Sequence, residues 1–185
     1  MIDAKEFQKI RKELNDFEVK REKLIQQSRN IILLSKQLIY SLHRHNLSKA
    51  KLLVNKIRKA VKDLPKSDYD TGMRKVALQE YAEAMCYYHF LNEGKIPKRK
   101  LLGIDTESYL LGLCDLSGEL VRKAVSDVIN RRFEEAIRIH TLLSELYEQF
   151  LQFDFRNGEL RKKADSLKWN LNKLEDIVYD MQIKK

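Results

Sequence analysis

The sequence has little that breaks or bends a chain: two prolines and six glycines in 185 residues. With so few breakers and so many Leu, Ile, Lys, Glu and Ala residues, the composition is that of long helices rather than sheets. Cysteine is scarce too. Cys86 and Cys114 fit no repeated zinc or disulfide spacing, and Cys86 with His89 would lack two further zinc ligands, so both cysteines read as small core residues of a reduced compartment. No stretch approaches the roughly 18 to 20 apolar residues of a bilayer span, and the opening MIDAKEFQKIRKEL lacks a signal peptide's apolar core. The expectation is a cytoplasmic protein without membrane contact. A P-loop, a Gly-x-Gly-x-x-Gly turn and a His-Glu-x-x-His helix are all absent, which leaves the usual nucleotide and zinc-protease chemistries without support.

What is abundant is positive charge. The formal net charge is +9, and the basic residues are spread along the chain instead of being gathered in a tail. A folded surface of that sign suits a polyanion, although interleaved Lys and Glu also serve simply to solvate a helical protein. The length suits one domain over residues 1–185.

Apolar residues at alternating spacings of three and four, through Phe7, Ile10, Leu14, Phe17, Leu24, Ile31, Leu38 and Leu42, predict one long helix from about residue 3 to 45. Arg21, Ser28 and Ser35 interrupt the stripe. Asn46 is a candidate cap for a second helix that stops at Leu64-Pro65. A third is expected to begin after the Ser67-Asp68 cap region and run to Asn92, ended by Gly94 and Pro97, with a basic loop at residues 95–100. Asp105 or Thr106 opens a fourth, running to about Asn130; further helices are expected over 133–153 and 159–182. The fold class is therefore all-α, a bundle of about six to seven helices with a long N-terminal helix.

Four carboxylates stand in the wrong surroundings. From Tyr81 to Leu91 the third helix is apolar or aromatic on nearly every face except at Glu83, and such a helix is normally buried all round. Glu80 precedes Glu83 by three residues, which puts the two about 60° apart on one face. In the fourth helix Asp115, Ser117 and Glu119 are the polar side chains across residues 109–121, with Asp115 and Glu119 at i,i+4. A buried ionised carboxylate is costly unless it is neutralised, ion-paired or bound to a cation. Either Arg and Lys from neighbouring helices pair with these acids, or they converge on a hard divalent cation. The Glu-x-x-His pair of di-iron bundles is missing. Gly112 and Gly118 weaken the same helix, a cost that makes sense where another helix or a ligand approaches closely. His89 reads as a hydrogen-bonded core residue, whereas His43 and His45 flank Arg44 where solvation and phosphate contact are both open.

At these residues the sequence resembles the translin family, and in particular its catalytic branch of translin-associated factor X proteins. FQKIRKEL at 7–14 and SKQLIYSLHR at 35–44 are similar to that branch's first helix; LQEYAEA at 78–84 followed by His89-Phe90 resembles its first acidic motif; and YLLGLCDLSGEL at 109–120 resembles its second. SLKWNLNKLEDIVYD at 166–180 looks more like translin itself. The resemblance implies a magnesium-dependent endoribonuclease, with Mn2+ as a substitute metal, in which Glu80, Glu83 and Asp115 are the catalytic acids and metal ligands and Glu119 is a supporting ligand. It also implies a hollow homo-octamer enclosing single-stranded RNA, or single-stranded DNA. Arg122, three residues after Glu119, matches an arginine of the same motif and is expected to bind RNA, together with Arg29, Arg74 and Lys75. Translin proper, which lacks much of the acid set, implies the alternative of a non-catalytic single-strand-binding protein.

Overall fold

A computed structural model describes residues 2–183, and among them every regular element is helical. The helices are α1 (Ala4–His43), α2 (Leu47–Lys62), α3 (Met73–Glu93), the short α4 (Arg99–Leu102), α5 (Thr106–Ile129), α6 (Phe133–Phe150) and α7 (Glu159–Ile183). Asp3 caps α1, Asn46 caps α2 by accepting from Lys49 N, and Asp105 caps α5 by accepting from Ser108 N, each a short polar side chain serving an otherwise unpaired amide. Gly94 ends α3 in the left-handed conformation, at φ 71°.

Helix α3 begins later than the sequence pattern suggests. Asp68 caps it from a distance: its carboxylate accepts from Gly72 N at 2.6 Å and Arg74 N at 3.2 Å, so residues 68–72 form a turn ahead of the first helical residue. Within the basic loop, Arg99 donates to Ile104 O at 2.9 Å and closes the single turn of α4.

The bundle is ordered by contact as α2, α1, α3, α5 and α7, with α6 packed on α5 and α7. Leu24, Ile31, Leu38 and Leu42 of α1 are buried, and Ser28 and Ser35, two of the three breaks in the stripe, are buried beside them; small side chains there let α3 lie close, while Arg21, the third, is half-buried and pairs with Glu18 and Glu22. The start of α1 exposes Phe7, Ile10 and Leu14, and the helix first meets the rest of the chain at Phe17, edge-on to Tyr69. No helix among the described residues is long and apolar enough to cross a membrane.

Helices α3 and α5 approach closely at Gly112. A Cβ placed there would lie 2.5 Å from Ala82 Cβ, 2.8 Å from Gln79 O and 2.9 Å from Glu83 N, two of the three being backbone atoms that cannot step aside. At Gly118 the nearest atom, of Asn170, is 4.0 Å away. Gly112→Ala should therefore lower unfolding free energy by ~1–3 kcal/mol, read by urea titration. Gly118→Ala should be neutral or gain up to ~1 kcal/mol from helix propensity. Equal effects of the two substitutions would contradict this account of the crossing.

Candidate functional site

The Gly112 crossing sets the faces of α3 and α5 that carry the four acids against a common space. Glu80 and Glu83 from α3, and Asp115 and Glu119 from α5, line one cleft of about 410 Å³ with Lys36, Ile39 and Tyr40 of α1 and Arg122 of α5. A larger groove, of about 780 Å³, lies between the end of α6 and α7 around Phe153, Phe155 and Trp169, and none of the four acids lines it.

Three of the acids carry partners from other helices. Asp115 receives Lys163 of α7 on both oxygens, at 2.7 and 2.8 Å, and the Gln79 amide donates to its Oδ2. Glu119 is hydrogen-bonded to His43 Nε2 and lies 3.6 Å from Arg122. The buried Tyr87 hydroxyl lies within hydrogen-bond distance of His43 Nδ1, at 3.3 Å, and with a carboxylate as acceptor it is Nε2 that donates to Glu119. That hydrogen bond is the main reason the Glu119 carboxyl is held below its ordinary range. Glu80 faces Lys36 at 3.6 Å; burial nevertheless raises its pKa.

Glu83 is different. It is 9% exposed, and no hydrogen bond or ion pair reaches its carboxylate among the described residues. Burial, and then the charges of Asp115, Glu80 and Glu119, push its pKa from 4.5 up to about 8. A buried acid surrounded by three others calls for a proton or a cation. The donor set fits a hard divalent ion: carboxylate oxygens from two rigid helices, in an open cleft with room for water. Among the described residues no three His, Cys, Asp or Glu groups are placed to hold a metal ion together as they stand; Lys36, His43 and Lys163 each engage one of the acids.

Arg122 stands at the rim, 62% exposed. Arg29 lies outside the lining but on the same stripe of α1 as Lys36 and His43, spaced by seven residues and hence ~10 Å along the axis per step. Arg74 and Lys75 also lie outside it: Arg74 donates to Pro65 O at 3.0 Å, and Lys75 bridges Glu107 at 2.9 Å and Glu159 at 3.4 Å. Sequence reasoning missed Lys36, His43, Gln79 and Lys163. The spacing of Lys36, Tyr40 and His43 on one face of α1 was the available signal; Lys163 had none. His89 is the core residue expected, hydrogen-bonded to Glu93 at 2.6 Å, and burial pushes the Cys86 and Cys114 thiols up to about 12, where they are inert.

A model of the translin family matches residues 19–185. The chain belongs to the translin family. Translin from Gallus gallus is 38% identical over 81 residues, which cover 44% of this chain but only 35% of that protein, so the chain spans about a third of the curated translin it matches. Translin-associated protein X from Rattus norvegicus is 27% identical over 96% of this chain and 78% of its own length. The crystal structure of apo-NeC3PO superposes with a TM-score of 0.89 at 29% identity, covering 97% of both chains. The AfC3PO–duplex RNA complex, at 23% identity and a TM-score of 0.84, agrees in fold. The translin fold thus accounts for the order of helices that brings the two acidic motifs together.

The state of Glu83 gives the cleft a pH signature. The folded chain keeps this proton across a range in which the unfolded chain has lost it, so the associated stability is present below pH ~4.5 and is lost as pH rises through ~8. In chelator, the Tm of the unsubstituted protein should fall relative to that of Glu83→Gln between pH ~5 and ~8. A pH-independent difference between the two would contradict the assignment.

Proposed function

We propose that this translin-family chain is a metal-dependent endoribonuclease that cleaves single-stranded RNA in the cytoplasm as a hollow homo-octamer. The observation that carries the proposal is the convergence of Glu80, Glu83, Asp115 and Glu119 on one cleft with Arg122 at its rim. Single-stranded DNA is the alternative strand. The apolar residues exposed on the first half of α1, together with exposed Trp169 on α7, supply surface for assembly.

The four carboxylates would hold Mg2+, with Mn2+ as a substitute, and the bound ion would supply phosphoryl polarisation and a water of lowered pKa. The chain's own groups do the rest. Arg122 projects a guanidinium able to take two phosphate oxygens, which fixes the strand relative to the acids. Glu80 and Asp115 flank Glu83, so the acids that would hold the ion stand together beside the strand. The His43–Glu119 bond keeps Glu119 ionised and oriented. Tyr40, exposed at the cleft, offers a ring on which an unpaired base can stack. The net charge of +9 draws the strand in. Arg29, on the Lys36 stripe, extends the phosphate track, and Arg74 and Lys75 would join it by leaving their present partners.

A second reading, a non-catalytic single-strand-binding protein, is favoured by one observation: Glu80, Asp115 and Glu119 already have partners within the chain. It calls for salt-sensitive binding without cleavage. Labelled single-stranded RNA incubated with the purified protein, in Mg2+ or in chelator, separates the two. The nuclease reading expects Mg2+-dependent products with 5′-phosphate and 3′-hydroxyl ends, and rates at least ~100-fold lower for Glu83→Gln and Asp115→Asn. Binding without cleavage in Mg2+, or cleavage undiminished in both variants, would count against it.

A further inference from the structure

Of the four acids, Asp115 is the one gripped on both oxygens by a single cation of the chain. Lys163, one turn into α7, reaches Oδ1 at 2.7 Å and Oδ2 at 2.8 Å. Its helix is firmly seated: Leu167 and Leu171 are buried, and the Asn170 amide donates to Ser117 Oγ of α5 at 2.7 Å. The Lys163 side chain is 30% exposed, and its four-carbon stem leaves the ammonium a route to solvent. The other pairings are looser or of another kind. Lys36 meets a single oxygen of Glu80 at 3.6 Å, and Glu119 is served by an imidazole and by Arg122 at 3.6 Å.

We propose that Lys163 is a resident counter-cation of Asp115, which a divalent ion must displace to enter the cleft, so that this lysine sets the metal affinity of the site. The inference rests on the reading of the cleft as a metal centre. An ammonium between the two oxygens already neutralises the carboxylate, and a divalent ion on those oxygens would lie close enough to be repelled by it. Removing the ammonium while keeping the length and bulk of the side chain, as in Lys163→Met, leaves Asp115 short of a cation. An arginine has the opposite effect, because its planar fork matches a carboxylate on two oxygens.

The test is Mn2+ binding to the metal-stripped full chain, followed by the paramagnetic resonance of free Mn2+ at fixed ionic strength, with folding checked by circular dichroism. Lys163→Met should bind Mn2+ ~10-fold more tightly than the unsubstituted protein, the expected result of deleting one nearby like charge. Lys163→Arg should bind it several-fold more weakly. Binding by Lys163→Met that is equal or weaker would overturn the proposal and make Lys163 a support that orients Asp115 for the metal. Should Lys163→Met fail to fold, Lys163→Arg decides, and affinity equal to or tighter than that of the unsubstituted protein overturns the proposal. Absence of Mn2+ binding in all three proteins would overturn the metal reading and this inference with it, whereas binding that ignores position 163 overturns this inference alone.

Discussion

The crossing of α3 and α5 at Gly112 is the constraint on which the rest of the site depends. The α5 backbone lies where a methyl group would strike Gln79 O and Glu83 N, so the two helices meet almost backbone to backbone. At that separation, side chains one or two turns further along face each other across a cleft instead of interdigitating. Asp115, Glu119 and Arg122 follow Gly112 on α5, while Glu80 and Glu83 lie within the stretch of α3 that it touches, residues 79–83. A bulkier residue at 112 would not remove any acid, but it would part the two pairs that have to act together.

Bringing carboxylates together creates an electrostatic cost, and the fold meets it from three directions. Lys36 and His43 come from α1, and Lys163 comes from α7. Glu83, deepest of the four and without such a partner, is the group pushed highest, to about 8, with Glu80 raised as well. A basic protein thus gathers four carboxylates around one cleft while its net charge of +9 favours a polyanion as partner. These two features together give the metal-dependent nuclease reading its physical content.

Much of the architecture was legible in the sequence because helices announce themselves by period. The caps Asn46 and Asp105 fell where expected, and Glu83 and Asp115 stood out because a charge inside an apolar helix needs an explanation. The late start of α3 was hidden because Asp68 caps across an intervening turn instead of at the adjoining position. The first half of α1 has the pattern of a buried stripe yet is exposed, since periodicity reports a face and not what covers it. Lys163 was invisible for a related reason: it is ordinary in its own helix and becomes special only by what lies opposite, 48 residues away in sequence. Arg74 and Lys75, near the acids in sequence, are tied instead to the turn before α3 and to Glu107 and Glu159.

The central claim is that these four carboxylates share a divalent cation. Anomalous scattering from crystals grown with Mn2+ tests it most directly. The account predicts a Mn2+ peak inside the cleft, with oxygens of Glu83 and Asp115 among its ligands. Crystals that diffract well and show no peak there, or a peak only at surface carboxylates elsewhere, would contradict it.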